Sequence, residues 1–241
     1  MIGPFRPDKR VIALHDIDDA ELFREKMVWL KERYDILPLD RLLSAPQGGR
    51  TQVAITFDDG AATQYERAVP VLRELALPAT FFLCSGFIGL AGEAARDFAR
   101  HRLRRIRPLR PLMPHEVRAM AHDPLFSIGS HTSCHEDLGT IASPAAIEAV
   151  MADKRVLEAL TGVPVRWFAY PFGRRPNIPH PAVGPDLLVS GFSGAFTIVP
   201  GTVDSRERGE IPRSCLDIHG SLWQWTWALG GGYDWTRYVR N

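Results

Sequence analysis

Two adjacent carboxylates, Asp58 and Asp59, follow directly on the apolar run QVAITF at residues 52–57. The alternation of side chains in that run is typical of a strand, so both acids are expected at a strand end. Asp-Gly is also ordinary turn chemistry, and an aspartate can cap the next helix. The pair therefore leaves two interpretations open, a turn or a catalytic site, and the rest of the chain must decide between them.

A pair of histidines, His131 and His135, lies in the polar run SHTSCH at residues 130–135. Four residues apart, the two imidazoles can share one face of a turn or helix and converge on a cation. Each histidine alone is more often a surface or capping residue than a ligand. Joined by one carboxylate of the aspartate pair, they would leave open positions for water and substrate, as a catalytic metal requires. The second carboxylate would then be free to act as a base.

The elements that must position these side chains alternate between strand and helix, with helices expected at residues 18–34 and 143–160. Strands are predicted at residues 11–15, 52–57, 79–84, 126–131, 166–170 and 194–198. This alternation predicts an α/β fold with a parallel sheet and right-handed crossovers, either a barrel or an open sheet. Polar clusters follow four of the strands, and the active sites of such folds gather at the carboxyl ends of strands.

The bulk composition sets wide limits on function. The chain has 241 residues, 45% of them hydrophobic and 24% charged, which favours a single globular domain. With a net charge of +1, the protein has no overall electrostatic attraction for nucleic acid or for a membrane surface. Three cysteines form no disulfide framework and suit a reducing compartment. The N-terminus lacks an apolar signal region and no run reaches transmembrane length, so a cytoplasmic location is expected, although a removed signal peptide would leave the same sequence.

Three motifs in this order carry a family resemblance: TFDDG at 56–60, HTSCH at 131–135 and FAYPFG at 168–173. Together they resemble the polysaccharide deacetylase family, also called the NodB-homology family or carbohydrate esterase family 4. The resemblance covers a catalytic core of about 11–200 within a single domain of 1–241, and leaves 201–241 as a Trp-rich C-terminal extension. It implies a distorted (β/α)7-type barrel.

The resemblance also implies a chemistry, the removal of acetyl groups from N-acetylated, and sometimes O-acetylated, sugars with a divalent metal. That metal is usually zinc, although an Asp-His-His site also accepts cobalt, nickel or iron. Carried over residue by residue, Asp59, His131 and His135 are the expected metal ligands and Asp58 is the expected general base. The metal and the backbone N–H of Phe172 would stabilise the oxyanion.

Two histidines compete for the role of the acid that protonates the leaving amine. In the commonest family layout the acid comes from a late motif, for which CLDIHG at 215–220 offers His219. VIALHDI at 11–17 instead resembles the opening of members whose strand order is circularly permuted, where the acid histidine comes first in the chain. His15 is therefore the predicted acid and His219 the alternative. The non-catalytic interpretation of His15 is a capping residue before Asp16.

One departure from the family pattern concerns an arginine. Many members carry an arginine that pairs with the base two residues before the proline of the third motif, where this chain has Ala169. Arg166 and Arg213 are the candidates to replace it, although the odd offset of Arg166 along the strand points its side chain to the other face. Both arginines, together with Pro171 and Gly173, are predicted to lie at the substrate site.

Two further stretches have alternative interpretations. The basic run ARHRLRRIRPLR at 99–110 is either a solvated face or a clamp for a phosphate-bearing substrate such as a nucleotide-sugar, a lipid-linked sugar or an anionic glycan, and is too short to indicate nucleic acid. Trp223, Trp225 and Trp227 could stack on sugar rings or lie at a membrane surface. More often such residues pack an appended element onto the body of the protein.

The sequence therefore predicts a metal-dependent N-deacetylase. The favoured substrate is a cytoplasmic precursor, such as a polysaccharide or lipopolysaccharide intermediate. Two other interpretations stay open, a hydrolase of a non-sugar amide or a deformylase on the same fold, and a non-catalytic glycan-binding module. The sequence is silent on the identity of the sugar and on the oligomeric state.

Overall fold

The fold is built around one parallel sheet. A computed structural model describes residues 8–46, 48–179 and 183–238. Its strands are β1 (Lys9–Leu14), β2 (Asp35–Ile36), β3 (Gln52–Phe57), β4 (Ala79–Leu83), β5 (Phe126–Ser130), β6 (Trp167–Ala169), β7 (Gly194–Phe196) and β8 (Ser214–Cys215). Neighbouring strands follow the spatial order β7-β6-β5-β4-β3-β1-β8, and every pairing is parallel. The short β2 pairs with the first residues of β3.

The sheet curls into a half-barrel, which confirms the predicted α/β fold and its distorted (β/α)7-type barrel. The segment at 211–215 runs between the two ends of the curl. Ile211 forms a parallel bridge with Phe196 of β7, and β8 pairs with β1. All carboxyl ends of the strands consequently point to one side of the molecule, as the site predicted from the sequence requires.

Helices fill the crossovers between the strands. They are α1 (Ala20–Arg33), α2 (Leu39–Ser44), α3 (Val69–Glu74), α4 (Gly92–His101), α5 (Pro114–Ala121), α6 (Ser143–Thr161), α7 (Gly184–Val189) and α8 (Leu222–Leu229). Two of them begin and end close to the bounds expected from the sequence, since α1 lies within 18–34 and α6 ends at Thr161, directly before Gly162. The backbone of Gly162 is left-handed, with φ of 73°, which explains the helix stop.

The hydrophobic core lies on both faces of the sheet. All residues of β1 and β3 are buried, as expected for central strands of a parallel sheet that are covered on both sides. The face toward the helices includes Phe57 and Phe81, whose rings stack with centroids 4.8 Å apart. Alternate positions, among them Phe82 and Phe196, pack inside the curl. Burial of this order fixes the strand ends rigidly.

Part of the predicted C-terminal extension, 201–241, packs onto the sheet and helices of the core. Residues 211–215 enter the sheet, and the Trp225 side chain is fully buried against α1, with its ring 6.4 Å from that of Trp29. Trp225 therefore packs the C-terminal element onto the body of the protein, as one of the interpretations of the sequence predicted. Trp223 is 66% exposed and stacks on Trp227. The tail appeared peripheral in the sequence because its strand is only two residues long.

Candidate active site

The aspartate pair lies where β3 ends. The backbone of Asp59 is left-handed, with φ of 78°, and Gly60 follows with φ of 89°. A non-glycine residue in this conformation costs roughly 1–3 kcal/mol and persists only where its surroundings enforce it. The side chain of Gln64 donates to the backbone carbonyls of Asp58 and His15, at 2.6 and 3.0 Å. These two hydrogen bonds join the ends of β3 and β1.

Asp59, His131 and His135 converge on one point. Their potential ligand atoms all lie within 4.8 Å of one another, and all three residues are buried. The Nε2 atoms of His131 and His135 lie 3.8 and 3.6 Å from Oδ1 of Asp59. The predicted ligand set is therefore brought together at the carboxyl ends of β3 and β5, which lie on either side of β4 in the sheet.

Hydrogen bonds to backbone carbonyls orient both imidazoles. Nδ1 of His131 lies 2.7 Å from the carbonyl oxygen of Ala169, and Nδ1 of His135 lies 3.1 Å from that of Arg102. Because a carbonyl oxygen only accepts, each Nδ1 carries the proton and each Nε2 keeps its lone pair toward Asp59. Burial, together with the proximity of His131, lowers the pKa of His135 to about 4, which keeps that ring neutral near pH 7.

This donor set fits a divalent cation such as zinc. Two neutral imidazole nitrogens and one carboxylate oxygen are common zinc ligands, and three protein ligands leave a position for water or substrate. Burial alone would raise the pKa of Asp59, but neighbouring cationic groups, with His15 first among them, lower it below its usual value. The carboxylate is therefore ionised, as a ligand must be.

The second aspartate, Asp58, is held by Arg213. Nη1 and Nη2 of Arg213 each contact a different carboxylate oxygen at 2.7 Å, and both side chains are buried. Nε of Arg213 also donates to the carbonyl of Thr197, and Nη1 donates to the hydroxyl of Thr56. Of the two candidates for the missing family arginine, Arg213 occupies the position beside Asp58.

Arg166 does not reach this site, which corrects its predicted place in substrate binding. It precedes β6, at the amino end of the strand, and its side chain is exposed. There it lines a different cavity, together with Leu39 and Phe126. Arg166 lies an odd number of residues from Ala169, so its side chain points to the opposite face of the sheet. It also lies at the amino end of β6, whereas Asp58 lies at the carboxyl end of β3.

His15 lies at the carboxyl end of β1 and lines the same cavity as the aspartates. Its Nδ1 is 3.9 Å from Sγ of Cys215, the last residue of β8. Burial on its own would lower the pKa of His15, but the hydrogen bond to Cys215 and the negative charge of the aspartates raise it to about 9. A protonated imidazole therefore faces the cavity at neutral pH.

His219, the alternative acid, points elsewhere. Its Nε2 lies 2.7 Å from Oδ1 of Asp18, and this exposed ion pair raises the pKa of the imidazole. It lines a neighbouring cavity rather than the one that holds the ligand cluster. The geometry thus separates the two candidates and brings only His15 to the aspartate pair.

The third motif forms a tight turn that presents Phe172. The backbone of Phe172 is left-handed, with φ of 58°, and its ring lies 4.5 Å from that of His135. Among the residues described, no acceptor bonds its backbone N–H. Pro171 and Gly173 are buried and shape the turn, and the carbonyl of Gly173 accepts from Ile198. Phe172 lines the cavity, whereas Pro171 and Gly173 support it from behind.

The cavity has a volume of about 420 Å³ and contains Asp58, Asp59, His15, His131, His135, Phe172, Tyr170, Cys215, Arg104, Arg105 and Arg174 among its lining residues. Within the described part of the chain, six non-glycine residues have positive φ, and four of them, Asp59, Arg104, His135 and Phe172, line this one cavity. Backbone strain of this kind clusters where a fold builds a functional site.

The sequence does not identify Cys215 or the individual arginines that line the cavity. The basic run at 99–110 is evident in it, but nothing in that run distinguishes the residues that face the cavity from those that face solvent. Cys215 follows a strand too short to predict. Only the three-dimensional order of β1 and β8 brings Cys215 to His15.

Comparison with known proteins agrees with this geometry. The profile of the family described as "Polysaccharide deacetylase" matches residues 45–181. YxkH of Bacillus subtilis (strain 168), whose name places it among the polysaccharide deacetylases, is 27% identical over 197 residues. That match covers 78% of this chain and 60% of the relative, so the chain spans less than two thirds of the relative's length.

Two solved structures share the fold. A polysaccharide deacetylase from Bacillus cereus superposes with a TM-score of 0.73 at 23% identity, over 93% of this chain and 70% of that one. IcaB from Ammonifex degensii superposes with a TM-score of 0.70 at 18% identity, over 95% of this chain and 97% of that one. At such identities the likeness establishes the fold alone.

Proposed function

The chain belongs to the polysaccharide deacetylase family, and on that premise we propose that it is a metal-dependent hydrolase. Its reaction removes an N-acetyl group from an amino sugar of a polysaccharide, lipopolysaccharide or glycan precursor and releases acetate. The observation that carries this proposal is the juxtaposition of two units at one strand end. The Asp59–His131–His135 cluster lies directly beside Asp58, which is fixed by Arg213.

A divalent cation held by Asp59, His131 and His135 would supply Lewis-acid activation of water and of the acetyl carbonyl. The carboxylate of Asp58 takes a proton from the attacking water. The two hydrogen bonds from Arg213 fix its direction and favour its ionised form. The adjacent carboxylates therefore divide the work, since one holds the cation and the other handles the proton.

The remaining steps fall to Phe172 and His15. The backbone N–H of Phe172, which has no acceptor among the described residues, donates to the acetyl oxygen as that oxygen gains negative charge. His15, protonated at neutral pH, gives its proton to the sugar nitrogen as the C–N bond breaks, so that the leaving group departs as a neutral amine. The sugar keeps its amino group and the acetyl group leaves as acetate.

The direct test is acetate release by zinc-loaded protein from pooled N-acetylated substrates, namely free oligosaccharides, nucleotide-sugars and lipid-linked sugars. We expect release from at least one pool. Chelation of the metal and the variant Asp58→Asn are both expected to abolish it. Asp186→Asn, which changes an exposed aspartate of α7, is the matched control and should leave the rate unchanged.

Other products would redirect the proposal. Formate in place of acetate would indicate a deformylase, and a ring-opened acid would indicate a cyclic amide substrate. Binding of glycans without turnover, and independent of metal, would indicate a glycan-binding module. The intact set of Asp58, Asp59, His131 and His135 favours turnover.

Cellular location is part of the same proposal. Among the residues that the structure describes, no helix combines the length and the apolar character needed to span a bilayer. A cytoplasmic location, and with it a precursor substrate, stays a prediction that cell fractionation tests.

A further inference from the structure

The rim of the cavity carries more positive charge than its carboxylates balance. Three arginines line it, Arg104, Arg105 and Arg174, against two aspartates. The charge of Asp58 is already matched from behind by Arg213. Asp59 is thus the single lining carboxylate left to offset three guanidinium groups, even before any cation joins the cluster.

Two of these arginines have no carboxylate partner in the part of the chain that the structure describes. The guanidinium of Arg104 lies 4.2 Å from the centroid of the Phe172 ring, and among the described residues it makes no ion pair. Arg174 follows the turn of the third motif and is exposed, with no side-chain hydrogen bond to any residue described.

The backbone conformation of Arg104 and its contact with Phe172 hold its side chain in a defined position. Its backbone is left-handed, with φ of 55°, a conformation that costs a non-glycine residue free energy. Stacking over an aromatic face holds the guanidinium plane and leaves its edge of N–H donors free. Because the ring of Phe172 also contacts His135, the stacked guanidinium lies one ring away from the ligand cluster.

Arg105 links the rim to that cluster. Its Nη2 lies 2.9 Å from Oδ2 of Asp59, whereas both histidines approach Oδ1. The contact therefore leaves the Oδ1 side free for a cation. The Nε of Arg105 is buried and has no acceptor among the described residues, so part of its donor fork is unpaired.

We propose that Arg104, Arg105 and Arg174 form a subsite for an anionic group, a phosphate or a carboxylate, carried by the same sugar that presents the acetamide. The inference rests on the proposed function, because it names the class of substrate for that cavity. Guanidinium groups match the oxygens of phosphate and carboxylate through paired hydrogen bonds. A neutral amino sugar would leave these donors and their charge uncompensated.

The test compares three analogues of N-acetylglucosamine in which a methylsulfonyl group replaces the acetyl group, so that the enzyme cannot turn them over. They are the neutral methyl glycoside, the 1-phosphate and the 6-carboxylate. Binding to the zinc-loaded full chain is measured by equilibrium dialysis at low salt. The variants are Arg104→Gln/Arg174→Gln and a control of equal charge, Arg96→Gln/Arg100→Gln, on the exposed face of α4.

We expect at least one anionic analogue to bind about 10-fold more tightly than the neutral one, as a charge-assisted contact provides. Arg104→Gln/Arg174→Gln should erase that preference, and the control should keep it. The arm that shows the preference identifies phosphate or carboxylate. Equal binding of all three analogues, or a preference that survives in Arg104→Gln/Arg174→Gln, would overturn the subsite.

Acetate release from the N-acetyl counterparts is measured in parallel and separates the two proposals. Anion preference without acetate release would keep the subsite and reject the deacetylase. Equal release from neutral and anionic substrates, with no binding preference, would keep the deacetylase and reject the subsite. Arg105 is not substituted in this test, because it also contacts Asp59 and its loss would disturb the ligand cluster.

Discussion

Arg213 donates one hydrogen bond to each carboxylate oxygen of Asp58, at 2.7 Å each, although the two residues are 155 positions apart in the chain. Both side chains are buried, with 0% of Arg213 and 3% of Asp58 exposed, and Asp58 lines the cavity. Burial by itself would raise the pKa of Asp58, but the charge of Arg213 and its hydrogen bonds outweigh burial and hold that pKa well below the usual range. The buried pair thus keeps a base ionised in a place where an unpaired carboxylate would be neutral.

Arg213→Met is expected to lower the free energy of unfolding by roughly 3–5 kcal/mol at pH 7, because it leaves a buried carboxylate without a partner. The pair stabilises the fold above the unfolded-state pKa of about 3.9, and this contribution is lost progressively as the pH falls from that value toward the depressed pKa of the folded state. The difference in the free energy of unfolding between the wild type and Arg213→Met should therefore become smaller as the pH is lowered from 7 to 3. Urea denaturation at both values measures it.

Arg166→Met serves as the control for that experiment, since Arg166 is exposed at the opposite end of β6. A surface substitution of this kind should change stability by no more than about 0.5 kcal/mol. If Arg213→Met and Arg166→Met lower the free energy of unfolding equally, the Asp58–Arg213 pair contributes no more to stability than an exposed arginine does.

His131→Ala is expected to weaken zinc binding by more than the roughly 10–100-fold cost of changing an outer hydrogen-bond partner, because it removes a ligand atom outright. Competition with a chromophoric chelator measures the affinity. His101→Gln changes an exposed histidine at the end of α4 and should leave it unchanged. Full zinc occupancy in His131→Ala at matched chelator concentration would argue against the cluster as the metal site.

The residues that could be found from sequence are those whose neighbours in the chain are also their neighbours in space. Asp58 and Asp59 follow a strand with clear alternation, and His131 and His135 share one short turn. Arg213 could only be named as one of two candidates, because its contact with Asp58 depends on how 211–215 runs between β7 and β1. No local pattern encodes that path, and the same holds for Cys215.

Asp153 tests how the strand ends are fixed. Its buried carboxylate, on α6, accepts from the backbone N–H of Ser85 at 3.0 Å and from the hydroxyl of Ser130 at 2.6 Å. Asp153→Ala would leave these donors unsatisfied and should cost about 1–3 kcal/mol for each. Since Ser130 precedes His131, zinc affinity should fall as well.

Asp153→Asn keeps an acceptor oxygen and is expected to recover most of the stability lost in Asp153→Ala. Glu148→Gln, on the exposed part of the same helix, is the control. Thermal unfolding with and without zinc provides the measurement. A stable Asp153→Ala variant with native zinc affinity would mean that packing alone positions His131.

The contact between His15 and Cys215 makes a prediction about alkaline pH. If His15 donates a proton to the amine, kcat/KM should fall as the pH rises through about 9, the value to which Cys215 and the aspartates raise the pKa of His15. Cys215→Ser removes the thiol whose hydrogen bond and charge raise the pKa of His15, so that pKa should decrease. The descending limb of the profile should then move to lower pH, with little change below pH 6.

His15→Ala should remove this limb and reduce kcat by roughly 10²–10⁴-fold, the usual contribution of a general acid. His219→Ala should leave the limb in place, because His219 pairs with Asp18 outside the cavity. Cys134→Ser, which alters another accessible thiol, controls for loss of a cysteine. A limb that survives His15→Ala and disappears in His219→Ala would transfer the acid role to His219, and a limb unmoved by Cys215→Ser would show that Cys215 does not tune the imidazole.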